Sequence, residues 1–250
     1  MAWHGLLTAI AVLVGVLIAA LLVRTANQPD LTEDRLYTVA LFAIPGGVMG
    51  ARVLHVLDKI DYYVAHPGSI LAFQEGGLSL FGAIIGGTAA GVAAALVMRL
   101  PLRHLADQTA PGIILAQAVG RIGCTINGDA YGTSTSLPWG LLYTHPDAYS
   151  PPGHVGHPAA VYEIFWDLLV FGVLWRWRRS RRPEGSTFLL YACLYSLGRF
   201  FISFVRADAV VWAGLQQAHI LSLLVVAVGA PLLWVALRQG MSRPVAVPSR

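Results

Sequence analysis

Seven apolar runs, each close to the length a helix needs to cross a bilayer, govern what this chain can fold into. They cover roughly Leu6–Val23, Tyr37–Leu57, Leu80–Met98, Pro111–Thr125, Ala159–Trp177, Phe188–Val205 and Ile220–Leu237, the fourth being the shortest. About 20 residues of helix span the hydrocarbon core. No water inside the core can satisfy an open backbone, so each run is expected as a helix. Only 12% of the 250 residues are charged and 56% are hydrophobic; a soluble domain carries about 25% charged residues. The expected fold is an all-α integral membrane protein with seven transmembrane helices.

Charge placement orients the bundle. The first run has no basic segment before it, and Arg24 follows it, so it reads as a retained helix with its N-terminus outside and not as a signal peptide. With that start, the inner loops and tail hold Arg24, Arg35, Arg99, Arg103, Arg176, Arg178, Arg179, Arg181, Arg182, Arg238, Arg243 and Arg250. The outer loops hold only Lys59 and Arg206. Twelve cations against two is a strong positive-inside signal, and it puts the C-terminus in the cytoplasm. The net charge of +4 is therefore a topology device. No basic stripe faces outward, so nucleic acid is not expected as a partner, and the Arg176–Arg182 run sits where anionic lipid lies.

Three arginines interrupt the apolar runs themselves: Arg52, Arg121 and Arg199. A cation at such depth costs at least roughly 2.5–3.5 kcal/mol unless paired or solvated. At 1.5 Å per residue, Arg52 lies about 20 Å and Arg199 roughly 17 Å from the inner ends of their helices. Arg121 lies near the outer end of its own. His4, Asn127, Asp129 and Glu163 fall at the same outer level, and Phe81 joins them from the third run. Apart from Asp167 near mid-membrane, the inner half carries no such set. Such a convergence is what an anionic lipid headgroup needs.

Between the fourth and fifth runs, residues 127–157 have no Lys or Arg and much Gly, Pro, Ser and Tyr. The segment is too long for a simple connector and is expected as a partly structured outer cap. Residues 1–237 form the membrane domain, and 238–250 a disordered cytoplasmic tail. Gly82, Gly86, Gly87 and Gly91 give two G-x-x-x-G registers, the pattern of close helix packing. No inverted repeat supports a transporter. Neither a cofactor nor a metal site is expected.

Gly120–Gly132, GRIGCTINGDAYG, resembles the signature of the prolipoprotein diacylglyceryl transferase family, roughly G-R-I-G-N-F-x-N-x-E-x-x-G. The likeness runs nearly end to end. Trp3-His4-Gly5-Leu6 resembles the family's W-Y-G-L, and Gly50-Ala51-Arg52 its G-A-R. Gly76-Gly77-Leu78-Ser79 with Phe81-Gly82-Ala83 is similar to G-G-M-S-x-H-G-G. His157-Pro158 with Tyr162-Glu163 looks like H-P-x-Q-x-Y-E, and Gly198-Arg199-Phe200 with Phe204 and Arg206 like G-R-F-x-x-E-F-x-R.

The resemblance implies transfer of a diacylglyceryl group from phosphatidylglycerol to the lipobox cysteine thiol of a prolipoprotein signal peptide. Glycerol phosphate leaves. The enzyme would lie in a bacterial cytoplasmic (inner) membrane, multi-pass, with its site toward the outer face and membrane lipids around it. Arginines suit the phosphate through forked hydrogen bonds, the thiol must lose its proton, and the leaving phosphate needs its charge stabilised. Arg121 and Arg199 are the first choices for that role, Arg52 and Arg206 the second. Asn127, Gly132, His157, Glu163 and Tyr195 complete the expected substrate-binding set.

Six family positions differ: His4 for tyrosine, Phe81 for histidine, Cys124 for asparagine, Asp129 for glutamate, Ala160 for glutamine and Ser203 for glutamate. Phenylalanine accepts no proton, so His4 or Asp129 is expected as the base. Each also has a plainer reading, an interfacial histidine or a solvated loop acid. A non-catalytic relative that binds phosphatidylglycerol or a lipopeptide is the alternative. The orientation is directly testable: a reporter fused after Leu237 is expected to be active only in the cytoplasm, and activity confined to the outside would overturn the topology.

Overall fold

A computed structural model describes residues 2–26, 28–72, 76–145, 148–180 and 182–241, with side chains left undescribed at 2–4, 240 and 241. Its elements are helices α1 (Ala2–Ala26), α2 (Glu33–Asp58), α3 (Ile60–Ala65), α4 (Leu80–Val97), α5 (Leu102–Asn127), α6 (Ala159–Trp177), α7 (Ser186–Ser203) and α8 (Gln217–Met241). A 3-10 turn covers Pro67–Leu71. Two short antiparallel pairs join them: β1 (Leu141–Leu142) with β2 (Val155–Gly156), and β3 (Val210–Trp212) with β4 (Leu215–Gln216).

Among the described residues, six helices are long and apolar enough to cross a membrane: 5–26, 33–58, 80–97, 102–127, 186–203 and 217–239. The other long helix, α6, has 19 residues and carries Glu163, Asp167 and Arg176. Two features differ from the sequence expectation. The fourth run is not short: α5 begins at Leu102 and passes through Pro111 without ending. Polar residues of its first turns, Arg103, His104, Asp107 and Gln108, had masked the start. And α8 continues to Met241, past the expected end of the membrane domain at 237, while residues 242–250 lie outside the described residues.

The chain forms two compact units. The first, Ala20–Leu105, is built on α2 against α4. Thr32 caps α2 by accepting from the Arg35 N–H at 3.4 Å, and Glu33 and Asp34 place negative charge in its first turn. The two helices meet through glycine. A Cβ on Gly50 would strike the Gly82 carbonyl oxygen and stand 2.8 Å from the Gly86 Cα. The small-residue registers of α4 thus serve backbone-to-backbone approach.

The second unit joins Met1–Ala19 to Ala106–Arg250. α1 lies against α5 in the same manner, because a Cβ on Gly112 would strike the Gly15 carbonyl oxygen. Ala110, Ile114, Val170, Leu174 and Tyr191 form its buried core, shared by α5, α6 and α7. At one end of this unit the Asp107 carboxylate accepts from the N–H groups of Gly185 (2.7 Å) and Phe188 (2.8 Å), capping α7 where Gly185 is left-handed at φ +87°. Higher up, Gly198 leaves room for the Trp166 indole, which donates to the Leu194 carbonyl at 2.9 Å. Large apolar side chains such as Leu41, Ile85 and Leu224 face outward, as lipid contact requires.

Gly50→Val is expected to cost roughly 1–3 kcal/mol by overpacking against α4. Gly172→Ala, whose added Cβ would meet nothing within 4 Å, should be close to neutral. Thermal unfolding in detergent separates the two; equal melting temperatures would refute the glycine seam.

Candidate functional site

Glu163 sits in the second turn of α6, almost wholly buried at 4% exposure. Three cations reach its carboxylate. Arg121 of α5 pairs with Oε2 through Nε. Arg199 of α7 donates from Nη1 to Oε1. Arg206, just beyond α7, donates from Nη1 to the same Oε1 at 3.4 Å. The network has a second acid. Arg206 forks onto Asp208, with Nε to Oδ2 at 2.7 Å and Nη2 to Oδ1 at 3.0 Å. Arg199 Nη2 also reaches Asp208 Oδ2 at 3.5 Å. Forked, charge-assisted bonds of this kind are the strong ones.

The arginines differ in how they are held. Side chains of Arg121 and Arg199 keep 20% and 18% of their surface exposed, whereas Arg206 keeps 8%. Arg206 is therefore a brace, and the other two keep a larger part of each side chain open. Burial opposes the Arg206 charge, but the hydrogen bond to Asp208 and the charges of Glu163 and Asp208 raise its proton affinity above the ordinary value. Burial likewise opposes the Asp208 charge. The bonds and charge of Arg206, with Arg199 and Arg121 behind it, hold that carboxyl below its usual range.

The loop after α5 is tied directly to this corner. Gly132 N–H donates to the His157 carbonyl at 3.0 Å, His157 N–H to the Thr133 carbonyl at 2.9 Å, and Thr133 N–H to the Val205 carbonyl at 2.8 Å. Gly132 also bridges Arg206. Three strands of chain cross there, and a Cβ on Gly132 would lie 2.5 Å from the Val205 oxygen and 2.6 Å from that of His157. The His157 ring faces the Tyr162 hydroxyl at 3.4 Å, and the same hydroxyl accepts from Trp139 Nε1 at 2.8 Å.

Other expected site residues fall around the cluster or apart from it. Asn127 ends α5, buried, with no hydrogen-bond partner on its Oδ1 among the described residues. Cys124 lies 3.9 Å from Arg121 Nη1 and hydrogen-bonds Asp129, and Tyr143 is close enough to Asp129 to feel its charge. Tyr195 stacks on Tyr191, ring centroids 6.1 Å apart, within electrostatic reach of Arg121. Ser203 is fully buried and donates to the Arg199 carbonyl at 2.7 Å; Ala160 is buried in the first turn of α6. The His4 side chain lies outside the described residues.

Arg52 belongs to the other unit. Its guanidinium donates to the carbonyls of Ser69, Ile70, Ala72, Gly76 and Gly77, at 2.5 to 3.3 Å. It holds these backbone segments, 69–72 and 76–77, from inside α2. Phe81 stands in the first turn of α4 and is half exposed. Sequence reasoning missed Asp208, which looked like a loop acid. Its signal was the cation two residues earlier in a loop otherwise poor in charge.

Within α6 and α7 a groove of about 490 Å³ runs beside the cluster, lined by Phe165, Trp166, Leu169, Phe201 and Ile202, with His157 and Tyr162 at one end.

The family pattern described as prolipoprotein diacylglyceryl transferase matches residues 1–235. A Nostoc protein named phosphatidylglycerol–prolipoprotein diacylglyceryl transferase is 38% identical, covering 99% of this chain and 89% of its own length. Proteins of that name from Clostridioides difficile and Dehalococcoides mccartyi are each 36% identical. The first of these alignments covers 89% of this chain and 85% of the relative, the second 92% and 86%.

Removing the shared anion should be severe. Glu163→Gln takes the carboxylate from Arg121 and leaves Arg199 and Arg206 only Asp208; it is expected to cost about 3–5 kcal/mol, read as a large drop in melting temperature in detergent. Asp208 gives a pH signature. Its folded-state proton affinity is depressed, so its contribution is present at neutral pH and is lost as pH falls from the ordinary aspartate range through the lower folded value. Wild type and Asp208→Asn should differ in melting temperature at pH 7 and converge under acid; a constant difference would exclude the linkage.

Proposed function

The chain belongs to the prolipoprotein diacylglyceryl transferase family, and from that premise we propose that it transfers the diacylglyceryl group of phosphatidylglycerol to a lipobox cysteine thiol on a prolipoprotein signal peptide. The observation that carries the reading is the meeting of Arg121, Arg199 and Arg206 on one buried carboxylate, inside a bundle of apolar helices. Cations assembled at that depth have a use for an anion that arrives in the membrane.

Roles follow from exposure and bonding. Arg121 and Arg199 grip the phosphodiester with the parts of their guanidiniums that Glu163 leaves open. The same contacts strengthen as charge grows on the departing glycerol phosphate, with Arg199 nearest to that task. Arg206 and Asp208 hold Arg199 and Glu163 in place. Asn127, with an unpartnered Oδ1, and Tyr195 line the headgroup pocket, while His157 and Gly132 fix the loop above it. The groove between α6 and α7 suits an acyl chain of the donor. Arg52 orders the backbone of Ser69, Ile70, Ala72, Gly76 and Gly77 within its own unit.

In the transfer the thiol gives up its proton, sulfur bonds to the glyceryl carbon, and the carbon–oxygen bond to phosphate breaks with its electron pair on oxygen. Asp129, beside Cys124, or His4 takes the proton, since Phe81 has no atom for it. We read α6 as a seventh span, its acids tolerated because Glu163 is paired. Residues 127–157 then form the outer cap over a site facing away from the cytoplasm, with the N-terminus outside, in a bacterial inner membrane.

Arg121→Lys keeps the charge and loses the fork; it should weaken phosphatidylglycerol binding at least tenfold, about 1.4 kcal/mol. Purified protein in phosphatidylglycerol-containing detergent is expected to alkylate a lipobox peptide. His4→Gln or Asp129→Asn should each be compared with it, and loss in one of them identifies the base. Full activity in both variants would discard both bases. An inactive wild type rescued by Phe81→His would make the chain a binder and not an enzyme.

A further inference from the structure

Asp167 is used by nothing in the account above. It lies one helical turn after Glu163 on α6, 2% exposed, and its Oδ2 has no hydrogen-bond partner among the described residues. Its surroundings are polar on three helices. Arg121 sits one turn from Gln117 on α5, and Arg199 one turn from Tyr195 and two from Tyr191 on α7. Tyr191 donates its hydroxyl to Gln117 at 3.3 Å. Asp167 is within electrostatic reach of Glu163, Arg121, Arg199 and Tyr191. A polar seam thus descends from the arginine cluster, and a carboxylate with one unbonded oxygen stands in it.

Charge counting says what such a group does. Arg121, Arg199 and Arg206 bring three positive charges, and Glu163 and Asp208 bring two negative. An ionised Asp167 makes the empty site neutral. A phosphodiester adds one negative charge that a low-dielectric site resists carrying. One acid must then take a proton. Glu163 is held by three arginines and Asp208 by direct bonds from two. Asp167 has no such bond on Oδ2. Other titratable groups facing this region are Cys124, Tyr191, Tyr195 and, from α8, His219, which is near Arg199 and accepts the Gln216 N–H on Nδ1.

We infer that Asp167 is the proton-exchanging counter-charge of the arginine site: ionised while the site is empty, protonated while the phosphate of an anionic phospholipid is bound. It acts through Arg121 and Arg199 and touches no reacting atom, so it is a positioning residue. The inference rests on the transferase reading for the location of the phosphate. Its use is to let the cluster accept an anionic donor without accumulating charge, and to release the proton when the phosphate departs.

The test is calorimetric titration of the detergent-solubilised protein with a short-chain phosphatidylglycerol, in buffers of different ionisation enthalpy. A phosphodiester does not itself titrate near neutral pH. Wild type is expected to take up about one proton per lipid, so that its affinity falls by up to about tenfold per pH unit on the alkaline side. Asp167→Asn should bind with no uptake, a flat pH profile and, at high pH, tighter than wild type, an outcome a merely structural residue would not produce. Asp167→Glu should restore uptake. Binding by wild type without proton uptake overturns the inference, as does uptake that survives in Asp167→Asn, which would point to His219. Either leaves transfer to a lipobox peptide untouched as a separate assay. Proton-linked binding with no transfer would sink the transferase reading and uphold this one.

Discussion

One carboxylate organises the second unit. Glu163 is buried in a helix that must lie among apolar neighbours, and it cannot stay ionised there alone. Arg121, Arg199 and Arg206 satisfy it from α5, α7 and the segment after α7. Each of those cations has the same difficulty and the same solution. The ends of α5, α6 and α7 that carry these residues are therefore fixed relative to one another by a single charge network. The loop that leaves α5 is stitched to that corner at Gly132, where only a hydrogen fits between two carbonyl oxygens. At the other end, Asp107 ties α5 to the start of α7. The shared apolar core fills the space between.

Buried arginines of one chain need not share a purpose. Arg52 and Arg121 look alike in sequence, each a cation inside an apolar run. Arg52 donates to the carbonyls of Ser69, Ile70, Ala72, Gly76 and Gly77 and has 4% exposure, so its charge orders backbone. Arg121 faces a carboxylate and keeps a fifth of its side chain open. Depth alone does not separate these uses, because the cost of a buried cation can be met by five carbonyl dipoles as well as by one anion. Partners decide, and partners come from elements far away in sequence.

That difference marks how much could be read beforehand. Apolar runs give the long helices, because hydrophobic length is a property of consecutive residues. The glycine registers of α4 give its seam with α2 for the same reason. The start of α5 was lost because its first turns are polar, and capping α7 with Asp107 is a tertiary fact that no local pattern announces. Arg121, Arg199 and Glu163 stood out as charges in apolar surroundings. Asp208 did not, since a loop acid is the least unusual residue there is. The strand pairs that hold residues 132–134 to 156 and 206 arise from two loops meeting, which neither loop encodes by itself.

The substitutions that set this chain apart gain a physical meaning from the same network. Where the family pattern has glutamate four residues after the helix arginine, Ser203 is packed at 0% exposure and bonds the Arg199 carbonyl. A carboxylate at that position would contribute charge to Arg199 and Arg206. Here Asp208 contributes it, bonded to both. With Glu163 it puts two negative charges opposite three positive ones. Asp208 is partly solvated, which costs less than ionising a fully buried acid at 203. Serine at 203 is thus compatible with an intact charge network. Phe81 admits no such exchange of partners, because its ring has no atom that accepts a proton, so any base for the thiol comes from another position.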